Sequence, residues 1–300
     1  MKERIRKMFS CKGLNKKLGD FRLEDVSIKL EAGEILGIIG VNGCGKTTLL
    51  RCILGSYRLE KGEGELRIKT YDIKENPAAY KNELGWIFQD IPFTPGMSPM
   101  MAGELYGRYY KSFSNEKYRK LLEKYEVPAE KCELAKLSKG QQLRVQLAFT
   151  LSHEASLYVF DEPTGNLDVD FRDGFYSEMR SLVSDEKHSV IIASHIVEEL
   201  EGFADRILWM YRDGDAGRVR FFGTIDELRD RYRVVEAGND KLIEIPDRAV
   251  AGKRMSEHSK KLLVDTEDYG LPDELVPYSR MADLREIMYF IEKESRRKRS

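Results

Sequence analysis

Cysteine, tryptophan and histidine are all scarce in this 300-residue chain, at four, two and four residues. Cys11, Cys44, Cys52 and Cys132 form no C-x-x-C pair, which excludes a disulfide framework and a thiolate metal cluster and points to reduced, cytosolic thiols. No apolar run approaches the roughly 18–20 residues that a membrane span requires. The opening Met1–Lys7 is charged with no apolar stretch behind it, so no secretion signal is expected. Neither sign of charge dominates: 50 Lys and Arg stand against 51 Asp and Glu, a net charge of −1. A broad basic field is therefore missing, and no nucleic-acid partner is expected. The basic ending Arg296-Arg297-Lys298-Arg299 fits a solvated tail or a touch on anionic lipid. What is present is 41% hydrophobic residues, enough for one large domain and a smaller appendage.

Gly40-Val41-Asn42-Gly43-Cys44-Gly45-Lys46-Thr47-Thr48 carries the most chemistry. The apolar Ile35–Ile39 before it reads as a buried strand, and the stretch from Thr48 to Leu54 as a helix. Strand, glycine loop, Lys and Thr in that order form a P-loop. Its backbone N–H groups and the following helix N-terminus present donors to phosphate oxygens, which implies ATP or GTP as ligand. Lys46 would reach the β- and γ-phosphates, and the Thr47 hydroxyl would ligate Mg²⁺. Cys44, inside the loop and near Lys46, is expected to be a reactive thiol.

A second apolar strand, Leu157–Phe160, ends in Asp161-Glu162-Pro163. A carboxylate at the end of a strand beside the P-loop strand suits Mg²⁺, which gives Asp161 that role. Glu162 points elsewhere and can act as general base toward the attacking water.

Leu137-Ser138-Lys139-Gly140-Gln141 lies shortly before that strand. With it the sequence resembles the ATP-binding cassette (ABC) ATPases, whose signature reads LSGGQ. Gln89 in Gly85–Asp90 resembles the family's Q-loop, Asp168 in Gly165–Asp168 its D-loop, and His195 its switch histidine. The resemblance spans roughly Phe9 to Tyr232 and is close to ATP-binding subunits of exporter-type transporters. It implies an α/β P-loop NTPase core with an antiparallel β-subdomain and an α-helical subdomain, hydrolysing ATP with Mg²⁺. Catalytic roles would fall to Lys46, Gln89, Glu162 and His195, and metal contact to Thr47, Gln89 and Asp161. Ser138, Gly140 and Gln141 would cover the γ-phosphate held by another subunit, with Asp168 nearby, so catalysis needs a head-to-tail homodimer or hetero-pair. A separate transmembrane permease and a place on the cytoplasmic face of the membrane follow from the same resemblance. Ser138 and Gln141 also have capping-box spacing, and the two roles are compatible. Relatives that act on nucleic acid or ribosomes usually carry two cassettes, a coiled coil or a zinc insertion, none of which lies between Thr48 and Leu137.

The chain is expected to divide into residues 1–233, with a helical subdomain at about 90–150, and a small α+β appendage at 234–300. Strands are expected at Met8–Leu14, Val26–Leu30 and Leu66–Tyr71, and helices at Ala102–Tyr110, Asn115–Tyr125 and Phe171–Ser184. The methionine-rich Ile91–Met101 suits either a partner surface or subdomain core. In the appendage, Lys241–Ile245 and Lys261–Val264 alternate, and Met281–Glu294 carries Leu284, Ile287, Met288 and Ile291 on one helical face.

Three positions depart from the family pattern: Val41, Cys44 and Lys139. A fourth concerns the base, because the place of the adenine-stacking aromatic holds Leu18, with Phe21 three residues on. GTP should therefore compete with ATP within about tenfold, the low end of what base–aromatic stacking contributes elsewhere. A competition titration checks this; an ATP preference of about a hundredfold or more would mean that an aromatic stacks after all.

Overall fold

The computed structural model describes residues 7–88, 92–130, 132–165, 167–237, 245–255, 260–267 and 269–297. Two compact units emerge, Met1–His195 with Phe203–Phe222, and Ile196–Gly202 with Gly223–Ser300. In the first, β1 (Lys7–Leu18) and β2 (Phe21–Glu31) form a long antiparallel hairpin, and alternating burial along β2 marks one covered face. Then come β3 (Ile35–Ile39), α1 (Lys46–Ile53), β4 (Glu65–Ile68), β5 (Tyr71–Asp72), α2 (Pro77–Asn82) and β6 (Leu84–Ile87). Helices α3 (Pro99–Tyr106), α4 (Asn115–Lys124) and α5 (Lys139–Leu151) precede β7 (Leu157–Asp161), α6 (Val169–Val183) and β8 (Ser189–Ala193). Strands β9 (Arg206–Asp213) and β10 (Ala216–Thr224) close the unit's sheet.

That sheet has ten strands in the order β5-β4-β1-β2-β10-β9-β3-β8-β7-β6. The half from β9 to β6 is parallel, and β3, β7 and β8 are buried along their whole length, as apolar runs covered on both faces must be. The expected antiparallel strands at Met8–Leu14 and Val26–Leu30 are present, whereas the expected strand Leu66–Tyr71 is broken by a turn at Lys69, φ 52°, into the paired β4 and β5. These strands continue the parallel sheet through β10, which pairs parallel with β2 at Ala216↔Arg22. Because β3 sits between β9 and β8, with β7 next, the carboxyl ends of four strands stand side by side, where doubly wound sheets place their ligands.

The second unit begins earlier than the expected 233/234 boundary and takes in α7 (Val197–Glu201). The reason is packing: α8 (Ile225–Arg231), opened by a Thr224–Glu227 capping box, leads directly into β11 (Tyr232–Ala237). Strands β12 (Val250–Met255), β13 (Lys260–Asp265) and β14 (Ser279–Met281) complete an antiparallel sheet in the order β12-β13-β11-β14. The amphipathic α9 (Leu284–Arg297) buries Leu284, Ile287, Met288 and Ile291 as its spacing requires. A Cβ at Gly252 of β12 would lie 2.7 Å from the Phe290 carbonyl of α9, so glycine permits the close approach. Glu201 ties three helices by accepting from Arg229 (2.7 Å) and from the Leu284 N–H (3.1 Å). Lys241–Glu244 of the expected alternating run lie outside the described residues.

In the first unit, α3 starts at Pro99, earlier than the expected Ala102, because the Ser98 hydroxyl accepts from the Met101 N–H and Pro99 fills the first turn. Met100 is buried and Met101 is exposed, so the methionine stretch serves both core and surface. Around Phe149 of α5 gather Phe93, Tyr110, Phe113 and Tyr118, at centroid distances of 4.9–6.1 Å. Gly103 of α3 lies flat on the Tyr118 ring, and an added Cβ would collide with it. Gly103→Ala should therefore destabilise the protein by about 1–3 kcal/mol, despite the better helix propensity of alanine. Urea unfolding measures this, and a neutral or stabilising result would show slack packing between α3 and α4.

Candidate nucleotide site

The loop between β3 and α1 adopts the shape its glycines allow. Gly45 is the N-cap of α1 at φ 105°, and a Cβ there would strike Leu23 and Phe21 at 2.6 and 2.8 Å. Gly40, at φ 147°, presses on the Met210 carbonyl, where any side chain would clash. Lys46 is buried and its Nζ donates to the Gly40 carbonyl at 2.7 Å. Thr47 Oγ1 donates to Asp161 Oδ2 at 2.8 Å, joining the loop to the end of β7.

Asp161 is 4% exposed, and its Oδ1 is buried without a hydrogen-bond partner. Burial pushes its carboxyl above the usual range, with the Glu162 charge adding to the effect while the Thr47 bond opposes it. A buried, unsatisfied carboxylate oxygen beside a threonine hydroxyl is a donor set for a hard divalent cation. Among the described residues no cluster of three His, Cys, Asp or Glu could hold a metal unaided. Such a cation would thus complete its shell with water and phosphate oxygens.

Glu162 sits at φ 52°, a left-handed conformation that costs about 1 kcal/mol or more in a non-glycine residue. Its N–H donates to the Ala193 carbonyl at 2.9 Å, which locks the turn to β8. The result aims the carboxylate at His195: Oε2 lies 2.5 Å from His195 Nδ1 and 3.3 Å from the His195 backbone N–H. Because the carboxylate can only accept, the proton of that contact resides on Nδ1.

Asn42, Gly43, Gly45, Lys46, Thr47 and Thr48 of the loop share a cavity of about 510 Å³ with Asp161 and Glu162, whereas His195 stays out of its lining and is tied to it through Glu162. Gly40, Val41 and Cys44 stay out of that lining. Cys44 is fully buried, with its N–H donating to the Val41 carbonyl at 3.2 Å. The expectation of a reactive Cys44 thiol is therefore corrected: the side chain turns beneath the loop, where Gly40 covers it. Leu18 and Phe21 both border the cavity, and the Phe21 ring supports Gly45 from below. Arg212 also lines it, over Gly43, and sequence reasoning did not single it out. Its signal was positional: it stands near the carboxyl end of β9, the neighbour of β3.

The signature segment stands elsewhere. Ser138 caps α5 in a full capping box, its Oγ accepting from the Gln141 N–H and Gln141 Oε1 accepting from the Ser138 N–H. Ser138, Gly140 and Gln141 do not line the loop cavity. Asp168 caps α6 and binds Arg144 of α5 at 2.7 Å. Gln89 lies outside the described residues.

Contrary to expectation, the carboxylate strand β7 is not beside the P-loop strand, since β8 lies between them, yet the Thr47–Asp161 bond still joins the two ends. A P-loop at the end of β3, a carboxylate pair at the end of β7 and a helix-capping signature beyond define an ATPase of the cassette type. The family model for ABC transporters matches residues 23–165. The high-affinity zinc uptake ATP-binding protein ZnuC of Bacillus subtilis is 30% identical over 220 residues, covering 69% of this chain and 92% of its own. The transporter ATP-binding protein EcsA of the same organism is 30% identical over 224 residues, 73% of this chain and 88% of its own. The dimeric structure of a bacterial ABC transporter cassette superposes with a TM-score of 0.61 at 25% identity, over 72% of this chain and 98% of that one. The chain belongs to the ABC transporter ATP-binding family: it is an ATP-binding, ATP-hydrolysing transporter subunit.

The buried Asp161 gives this site a pH signature. A carboxyl raised on folding contributes stability below the unfolded value, near pH 4, and that contribution is lost as pH rises through the folded value. At neutral pH, above the unfolded value, the raised carboxyl thus works against the nucleotide-free fold. Asp161→Asn should raise the melting temperature at neutral pH, with the gain shrinking on acidification, and should remove the extra stabilisation that Mg²⁺ adds to ATP. Melting curves across pH check this; a variant less stable than wild type at neutral pH would contradict it.

Proposed function

We propose that the protein works as one of two cassettes set head to tail, each P-loop closed by Ser138, Gly140 and Gln141 of the other, and that the pair drives a separate membrane permease. The observation that carries this is the half-site: the loop cavity gathers Lys46, Thr47, Asp161 and Glu162 but not the signature. The capped N-terminus of α5 then offers N–H donors to a γ-phosphate that its own chain does not present. The related bacterial cassette named above is dimeric, which supports the same arrangement.

In this reading Thr47 and Asp161 would hold Mg²⁺, with Gln89 contributing, and the ion would supply neutralisation of phosphate charge. Lys46 releases the Gly40 carbonyl to reach the β- and γ-phosphate oxygens. The backbone donors of the loop position the chain of phosphates. Glu162 takes the proton of the attacking water, and His195, hydrogen-bonded to its Oε2, keeps that carboxylate in place and senses the γ-phosphate. Asp168 lies at the junction of α5 and α6 and would face the partner cassette.

The permease contact falls on a second cavity of about 740 Å³, where Arg51 and Trp86 of the sheet side meet Tyr106 and Tyr109 of the helical part. Tyr109 is 77% exposed, an aromatic available to a partner. Among the described residues no helix is long and apolar enough to cross a membrane, so the membrane-spanning part would come from that permease, with this chain peripheral on its cytoplasmic side.

Glu162→Gln should bind ATP, turn it over very slowly and accumulate as an ATP-bound dimer. Size-exclusion chromatography with ATP and Mg²⁺ measures this. A variant that stays monomeric with near-normal turnover would remove both the base and the pairing, and pull-down from mixed lysate controls for a hetero-pair.

A further inference from the structure

The pairing of β9 with β3 ends at Trp209↔Ile39, yet β9 runs on to Asp213. Its last residues therefore stand beside the P-loop and not beside a strand. The Met210 carbonyl abuts Gly40, and Arg212, two residues on, reaches Gly43, where an added Cβ would lie 3.3 Å from Nη1. The guanidinium is oriented from its other side. Gly214, at φ 58°, turns the chain toward β10, and Arg212 Nε donates to the Gly214 carbonyl at 2.9 Å. Nη2 stands 3.7 Å from Asp215 Oδ1, in a pair whose side chains are 44% and 66% exposed. An ion pair that long and that exposed contributes little to stability and does not account for an arginine at this place.

Among the residues that line the 510 Å³ cavity, Lys46 and Arg212 are the cations, and Asp161 and Glu162 the anions. Lys46 is buried within the loop, whereas Arg212 is exposed at its rim. The phosphate chain of ATP is a polyanion, and the backbone donors of the loop meet it with partial charges only. A guanidinium adds a full charge and can give two parallel N–H bonds to one phosphate group. We infer that Arg212 is a second phosphate-binding cation of this site, donating to the phosphate chain of ATP from beside Gly43. Because Nη1 faces a residue of the phosphate cradle, the phosphates and not the base are the groups within its reach. The incoming phosphate would replace Asp215 as the partner of Nη2, while Nε keeps its bond to the Gly214 carbonyl. The inference rests on the reading of this cavity as the seat of the nucleotide and adds to it a residue that the P-loop pattern does not contain.

The test is isothermal titration calorimetry of the full chain with Mg²⁺, against ATP and against tripolyphosphate, which has the phosphates and no base. Arg212→Ala should weaken both ligands by about tenfold or more, the value of a hydrogen bond to a charged group. Arg212→Lys should recover part of that loss, because it keeps the charge and gives up the fork. Asp215→Ala should bind both ligands at least as tightly as wild type, since it removes the competing carboxylate and leaves the guanidinium in place. A loss confined to ATP would assign Arg212 to the base and overturn the inference, as would unchanged affinity for both ligands. A loss in Asp215→Ala equal to that of Arg212→Ala would trace the effect to the hairpin turn and overturn it too. Lys46→Ala separates this inference from the reading beneath it. Weak tripolyphosphate binding there, with full binding in Arg212→Ala, would keep the cavity as the nucleotide seat and remove only the arginine. Undiminished binding in Lys46→Ala would remove both.

Discussion

One row across three parallel strands sets up the catalytic end of this protein. Ala193 of β8 stands opposite Ile38 of β3 on one side and Asp161 of β7 on the other. The P-loop leaves β3 two residues beyond that row, Glu162 follows Asp161, and His195 comes two residues after Ala193. Because all three strands run the same way, their exits are level, and the Thr47–Asp161 hydrogen bond can span them at 2.8 Å. A one-residue slip in either pairing would send Asp161 to the other face of the sheet and leave Thr47 without its acceptor. The buried apolar faces of β3, β7 and β8 prevent that slip, so the packing of the core and the alignment of the site are one constraint.

That alignment is bought with local strain. Asp161 is buried with an oxygen unpaired, and Glu162 is held in a left-handed turn. Both features work against the stability of the nucleotide-free fold, and both are offset by the surrounding sheet. In the proposed reading, with a cation and a chain of phosphates as ligands, the cation would meet the unpaired oxygen of Asp161.

The parts legible in the sequence are those whose chemistry is local. The P-loop, the Asp161-Glu162 pair and the Ser138 capping box are each written within a few residues, and the structure places every described one at a strand end or a helix start. The helical face of Leu284, Ile287, Met288 and Ile291 could be read for the same reason. The parts that escaped depend on distant pairing. Nothing near Ala216 announces that β10 will lie beside β2 and fuse two layers into one sheet. Arg212 reaches the cavity only because β9 neighbours β3, and the Cys44 sulfur fits beneath the loop because Gly40 carries no side chain where the two approach. The boundary moved toward residue 223 because Glu201 binds Arg229 and the start of α9, contacts no local pattern encodes.

In the proposed head-to-tail pair, each chain owns half of two sites. Pairing a chain that has lost its P-loop function, Lys46→Ala, with one that has lost its signature, Ser138→Arg, tests this most directly. Each variant alone should be silent, because both of its sites lack the same half. The mixture should regain ATP hydrolysis, since a mixed pair joins the intact P-loop of the signature variant to the intact signature of the P-loop variant. A mixture that forms pairs yet stays as silent as its components would contradict the head-to-tail arrangement.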